Sequence, residues 1–247
     1  MKREEMIITL VSERKKIEVN ELSDLLNVSK VTIRKDLDRL ENKGLLHREH
    51  GYAVLNSQND INYRLAFNYD LKKKIAKEAA SIVNDGETVM IESGSTCTLL
   101  AEELAVAKND VTIITNSCFI ASYIRKYDSI KIILLGGEYQ KDSQVNVGPL
   151  VKKLAENFHV DKLFVGIDGF DQARGFTGSD LTRSDTAKTM MNSANHTIVL
   201  TDSSKFNQIG VVSEFSFSDI SMVFTDKGIS EEKIQFLGNK QIKVSIV

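Results

Sequence analysis

The strongest constraint on the fold is an alternation that begins near residue 70 and runs through the rest of the sequence. An amphipathic stretch, Leu71 to Val83, precedes the apolar run Thr88-Val89-Met90-Ile91-Glu92, then polar Ser93-Gly94-Ser95-Thr96 and an apolar helix. The unit recurs. Val111 to Thr115 runs into Asn116-Ser117 and a helix carrying Ile120, Tyr123 and Ile124. Ile130 to Leu135 ends in Gly136-Gly137, and Leu163 to Ile167 ends in Asp168-Gly169. His196 to Leu200 ends in Thr201-Asp202-Ser203-Ser204-Lys205, and Met222 to Thr225 and Ile242 to Ile246 complete the set. Strands this uniformly apolar need cover on both faces. Strand–helix repetition supplies it, so a mostly parallel α/β sheet between helical layers is expected. Right-handed crossovers bring successive strand-end loops to one edge.

The first 56 residues follow a different rule. Only Gly44 and Gly51, of 14 glycines, fall there. Met6, Ile7, Leu10 and Val11 have helical spacing, and a second short helix carries Val19, Leu22, Leu25 and Leu26. After a turn at Asn27-Val28, Ser29 is a good N-cap for a third helix that buries Ile33, Leu37 and Leu40. Val31, Lys35, Asp38 and Asn42 face outward, flanked by Thr32, Arg34 and Arg39. Gly44 ends that helix. Leu45 to Arg48 and Tyr52 to Leu55 read as strands around a turn at His50-Gly51. Three short helices and a hairpin describe a winged helix-turn-helix, whose reading helix fits the major groove. Its N-terminal residues Ser29, Lys30, Val31, Thr32, Arg34 and Lys35 would meet bases and phosphates, with Arg39 beside them and Arg48 and His50 on the wing. The competing reading is a three-helix interaction module with a solvated charged face. Asn56 to Arg64 is polar and aperiodic, so the expected division is 1–56, a linker at 57–69, and 70–247.

Charge excludes nucleic-acid binding through bulk electrostatics: 32 Lys+Arg against 34 Asp+Glu leave a net charge of −2. One local basic surface remains open. No run approaches the ~18 apolar residues of a membrane span, and MKREEMIITLVSERKK lacks a signal-peptide core. With only Cys97 and Cys118, reduced thiols and a cytoplasmic protein are expected. Cys97 follows Thr96 at a helix start, which favours a lowered pKa, although a packed thiol is the commoner outcome. His47, His50, His159 and His196 lack metal-ligand spacing, so neither metal nor cofactor is expected. Lys72-Lys73-Lys74 reads as a solvated helix face, or as further phosphate contacts if that helix lies near DNA.

In open α/β sheets, ligands bind outside the strand carboxyl ends. Gly94-Ser95-Thr96 opens a helix, where free N–H groups and the dipole favour an anion. Lys205 offers a counter-charge, and Asn116, Ser117, Asp168 and Asp202 can bond hydroxyls. Phosphate plus hydroxyls describes a sugar phosphate. Each fragment alone also reads as an ordinary turn or cap.

Arg3, Ile7 and Val11 stand four apart and are followed, after a fixed gap, by Ser29-x-x-Thr32-Ile33-Arg34-Lys35-Asp36-Leu37. This resembles the signature of the DeoR family of bacterial transcriptional regulators. Most of 58–247 resembles that family's sensor domain, through Gly94-Ser95-Thr96, Thr115-Asn116-Ser117, Gly136-Gly137, Val147-Gly148-Pro149, Gly166-Ile167-Asp168-Gly169 and Asp202-Ser203-Ser204-Lys205-Phe206. The resemblance implies a repressor of carbohydrate genes that reads double-stranded operator DNA and binds a phosphorylated sugar in a domain folded like sugar-phosphate isomerases. It adds Gly136, Gly137, Gly169 and Lys188 to the effector residues, and Asp185, where the family commonly has Glu. It gives Asp36 the role of orienting basic neighbours. The wing departs from the family pattern at Tyr52, where a second glycine is usual. A reader of net charge +1 binds weakly alone, so a homo-oligomer, dimer or tetramer, is expected on repeated half-sites. The alternative is a sugar-phosphate isomerase or deaminase with an appended helical module. Asp168-Gly169-Phe170-Asp171 is similar to the aspartate-rich loop of ribose-phosphate isomerases, but the sequence presents no second well-placed glutamate, and a DNA reader favours sensing over turnover. No catalytic residue is assigned. A pure protein-interaction module is the third reading.

Overall fold

A computed structural model describes residues 3–42, 45–54 and 60–247. The chain forms two compact units, Met1–Asp70 and Leu71–Val247.

The first unit runs α1 (Arg3–Arg14), β1 (Lys16–Glu18), α2 (Val19–Leu25), α3 (Lys30–Asn42), β2 (His47–Glu49), β3 (Tyr52–Val54) and α4 (Ile61–Ala66). Ser29 caps α3: the Thr32 amide donates to its Oγ at 3.2 Å. Ile33, Leu37 and Leu40 are fully buried, as their spacing predicts, together with Ile7, Val11 and Leu22. In α1 the buried stripe uses Ile8, while Met6 and Leu10 are only half-buried. Glu49 pairs with Tyr52, leaving His50-Gly51 as a two-residue turn. Both turn residues have positive φ, 48° and 88°, the mirror-image geometry that matches strand twist. The turn is therefore complete before Tyr52, and the missing second glycine changes nothing in it. β1 joins β3 in a three-stranded sheet ordered β1-β3-β2. Lys16–Glu18 is too short to show a strand period in sequence. Gly44, expected to end the helix, and Leu55, expected in the second wing strand, lie outside the described residues. So do 57–59 of the expected linker. Within 60–69, Asp60 caps α4 by accepting from the Asn62 amide at 2.7 Å, and Ile61 and Leu65 are fully buried. One apolar i, i+4 pair in a polar run carries too little periodicity to be seen.

The second unit follows α5 (Tyr69–Ala80), which begins at the boundary, with β4 (Thr88–Ile91), α6 (Ser95–Ala107), β5 (Val111–Thr115), α7 (Cys118–Ile124), β6 (Ile130–Leu134), β7 (Glu138–Gln140), β8 (Val145–Val147) and α8 (Pro149–Ala155). Then come β9 (Val160–Val165), β10 (Gly169–Asp171), β11 (Gly175–Gly178), α9 (Leu181–Met191), β12 (Ala194–Leu200), β13 (Val212–Phe215), β14 (Ile220–Thr225), α10 (Glu231–Asn239) and β15 (Lys243–Ile246). Every apolar run predicted as a strand lies in one seven-stranded sheet ordered β15-β14-β12-β9-β4-β5-β6, and all its pairs are parallel.

The order reverses at β4. The chain moves outward through β5 and β6, crosses back to β9 on the other side of β4, and moves outward again. The crevice for a ligand lies at such a reversal, because the loops leaving the two central strands diverge there. The small antiparallel pieces, β7-β8 and β10-β11-β13, were not visible in the sequence, since strands of three or four residues carry no periodicity. Phe170, Phe176, Phe206, Phe217 and Phe236 bind the second of these to the core through ring pairs 5.2–6.0 Å apart. Among the described residues, no helix is long and apolar enough to cross a membrane.

Candidate functional site

Two surfaces carry the expected chemistry. On α3, Lys30, Arg34 and Lys35 are exposed, Val31 is 61% exposed, and no described carboxylate pairs with the three cations. Ser29 Oγ and Thr32 Oγ1 lie 2.9 Å apart at the helix start. This is a cationic helix face with one apolar contact, open along its N-terminal half.

The two other arginines expected at DNA are already engaged. Arg39 pairs with Glu4 at 2.9 Å and with Asp36. Arg48 pairs with Asp38 at 2.6 Å and Glu41 at 3.1 Å, tying the wing to α3. His50 is exposed at the wing turn. Asp36 is wholly buried and also accepts from Arg3, at 3.2 Å through one guanidinium nitrogen. Burial alone would raise its carboxyl, but the hydrogen bonds and charges of Arg3 and Arg39 hold it below the ordinary aspartate value. Asp36 thus orients Arg3 and Arg39 from inside, the role its place in the signature implied.

At the carboxyl edge of the large sheet, the loops leaving β4 and β9 touch. A Cβ on Gly94 would stand 3.1 Å from Gly166 Cα, and one on Gly166 would stand 3.2 Å from Gly94 Cα. Gly94 is the N-cap of α6; Ser95 is half-buried and Thr96 buried in its first turn. Cys97 is a packed thiol, pushed well up by burial and by Glu92. Asp168 accepts from the Ser179 amide at 2.9 Å and hydroxyl at 2.5 Å. Asp202 is buried on neighbouring β12's edge and accepts from the Ser204 amide at 3.2 Å. Lys205 Nζ donates to Gln208 at 3.3 Å.

Several other expected effector residues also have structural work. Ser117 is buried and caps α7, accepting from the Ile120 amide at 3.1 Å. Asn116 donates to the Asn146 carbonyl at 3.0 Å; its Oδ1 is buried without a partner among the described residues. At Gly137 a Cβ would stand 2.6 Å from the Val147 carbonyl, and at Gly169 2.6 Å from the Gln208 carbonyl, so both glycines permit close backbone packing. Gly136 is half-buried. Asp185 and Lys188 are exposed on α9, where Lys188 donates to the Ser213 carbonyl at 2.8 Å.

The sequence reading missed Glu92, Arg183 and Glu214. Glu92 accepts from Ser93 at 2.5 Å and from the Gly166 amide at 3.4 Å. Arg183 donates to Ser179 Oγ at 3.1 Å and to Ser143, with Asp168 at 4.0 Å. Glu214 is buried, and its carboxyl is pushed up to about 8 by burial, then by Glu92 and Asp168. No sequence signal marks these three, because only the reversed strand order brings them together.

The family model described as "DeoR C terminal sensor domain" matches residues 67–227, and the "DeoR-like helix-turn-helix domain" matches residues 3–59. The "Uncharacterized HTH-type transcriptional regulator YulB" of Bacillus subtilis is 33% identical over 99% of this chain and 96% of its own. The "L-fucose operon activator" of Haemophilus influenzae is 29% identical over 93% of each chain. Ribose 5-phosphate isomerase A of Methanocaldococcus jannaschii aligns over 56% of this chain and 55% of its own, at 26% identity and a TM-score of 0.42, which carries no functional weight. The chain belongs to the DeoR family of DNA-binding transcriptional regulators, not enzymes, with the helix-turn-helix in its first unit and the sensor domain in its second.

Proposed function

We propose that this regulator is a cytoplasmic repressor of carbohydrate genes whose operator affinity is set by a phosphorylated sugar. The observation that carries the effector site is the meeting of Gly94 and Gly166 where the strand order reverses. There the α6 N-terminus offers free amides to a phosphate, with Lys205 as counter-charge. The carboxylates Asp168 and Asp202 suit sugar hydroxyls. The relative regulating an L-fucose operon supports a sugar-derived signal.

For DNA, the cations Lys30, Arg34 and Lys35, unpaired among the described residues, meet bases and phosphates in the major groove together with Val31. Arg39 and Arg48 act chiefly by fixing α3 and the wing. A homo-oligomer, dimer or tetramer, places two readers on repeated half-sites. The effector changes operator affinity only by favouring one arrangement of those readers over another.

The test is fluorescence anisotropy of the DNA upstream of the chain's own coding region, followed by a panel of sugar phosphates. Salt-sensitive binding weakened by one panel member is the expected result. Absence of binding to any duplex, with every ligand, would overturn the DNA reading. Binding strengthened by the ligand would retain the sensor and reverse the sign of regulation.

A further inference from the structure

β6 is the last strand of the large sheet, with β5 on one side and no strand on the other among the described residues. Its hydrogen bonding fixes which groups that open edge presents. The Leu135 amide donates to the Thr115 carbonyl at 2.8 Å, so Leu135 turns its backbone toward β5. Direction alternates along a strand, so Lys131 and Ile133 also serve β5, while Ile130, Ile132 and Leu134 turn their N–H and C=O groups outward. Outside the strand ladder, none of these three amides has a partner among the described residues. The edge is also apolar. Ile130 and Ile132 are half-buried, and Leu134 is 44% exposed. At the strand exit, Leu154 of α8 is 42% exposed, with its Cδ1 3.8 Å from where a Cβ on Gly136 would stand. Leu150, one turn earlier, is 62% exposed. An uncovered apolar edge is a template for another strand.

This edge matches a reversed copy of itself. In an antiparallel pair, directly opposed residues exchange both hydrogen bonds at every second position. A register centred on Ile132 sets Ile132 against its own copy and Ile130 against Leu134, so every outward group finds a partner. Charge agrees with that register. Lys131, the one charged residue of β6, falls opposite Ile133. Counted onward, exposed Lys126 falls opposite exposed Glu138, Arg125 opposite Tyr139, and Asp128 opposite Gly136. No charge meets its own sign, and a two-fold contact of this kind closes.

We propose that β6 is an interface between two copies of this chain: they join edge to edge, antiparallel about a two-fold at Ile132, and merge their large sheets into one. This rests on the homo-oligomer reading and assigns its surface.

The experiment is cross-linking of the full chain carrying Ile132→Cys. A hydrogen-bonded antiparallel pair holds its Cα atoms about 5.5 Å apart, within reach of a disulfide. Diamide should therefore convert Ile132→Cys to a covalent dimer on a non-reducing gel. Ile130→Cys should not follow, because its own copy lies four residues along the strand, about 13 Å away. The wild type, with Cys97 buried and Cys118 half-buried, sets the background. Sedimentation velocity gives a second reading. Ile132→Lys sets like charges opposite each other and should halve the mass of the wild-type assembly, and mixing it with Ile132→Glu should restore that mass. Ile132→Pro removes only an outward N–H, so it should halve the mass and keep the sheet's far-ultraviolet signal. Cross-linking at 132 no greater than at 130, variants that sediment as the wild type, or a Lys–Glu mixture that stays dissociated overturns the interface and leaves the homo-oligomer reading standing. A wild-type chain that sediments as a monomer overturns both. Should the charged and proline variants fail to fold, the two cysteine variants decide.

Discussion

The outer face of α3 and the carboxyl edge of the large sheet treat polar groups in opposite ways. On α3, Lys30, Arg34 and Lys35 stand in water without described carboxylate partners. At the sheet edge, Asn116, Ser117 and Asp202 are buried, as is Glu214 on the small antiparallel sheet, and Asp168 is held by Ser179. A DNA duplex is a large polyanion that brings its own charge, so the surface meeting it needs cations that lose little on binding. A small ligand must be told from its relatives by a few groups held in place before it arrives, and burial with hydrogen bonding supplies that order. The contrast extends to acids. Asp36, on the buried side of α3, is held ionised by two arginines, whereas burial beside two carboxylates pushes Glu214 up to about 8.

That last difference gives the largest expected effect, with opposite pH dependence in the two units. Glu214 is raised, so its folded form holds a proton that the unfolded chain releases. Its stabilisation is full below the ordinary glutamate value and is lost as pH rises through about 8. The span is on the order of 3–5 kcal/mol. Asp36 is lowered, so its contribution is present above the ordinary aspartate value and is lost as pH falls below it. Hydrogen exchange resolved by region, from about pH 5 to pH 8.5, should show protection of β13 declining while α3 holds. Glu214→Gln should remove the decline, and an unchanged slope in that variant would break the contrast.

Next is Gly94→Val, which forces a side chain against Gly166. It should destabilise the second unit by about 1–3 kcal/mol and abolish the effector response, leaving operator affinity without effector unchanged. Loss of operator binding as well would signal misfolding. On the reader, Arg34→Ala should weaken operator binding by ~1–3 kcal/mol and relax preference at one position if it holds a base. Arg48→Ala should lose about 0.5–1 kcal/mol at most, because its partners Asp38 and Glu41 already hold it. Equal losses would show that the wing arginine leaves its carboxylates for DNA. Ser29→Ala, which removes the α3 cap, should cost a comparable ~1 kcal/mol, here of stability in the first unit and read by thermal melting.

What the sequence determined by itself was local. Seven apolar runs became the seven strands of one parallel sheet, Ser29 became a cap, and His50-Gly51 became the wing turn. Each rests on the chemistry of neighbours in the chain: side-chain period, a hydroxyl within reach of an amide, a backbone that tolerates positive φ. The open face of α3 was legible for the same reason, since a helix shows its outward residues through its period. The candidate effector crevice was legible only in part. Gly94, Asp168 and Asp202 could be read from runs that end strands, but Ser117 and Gly137 share that signature while serving as cap and packing. The tertiary structure alone decided which strand ends are neighbours. Strand order depends on how crossovers pack, so Glu92, Arg183 and Glu214, far apart in sequence, converge only when β9 returns beside β4. Burial then makes Glu214 an acid, a property that belongs to its surroundings and not to its place in the chain.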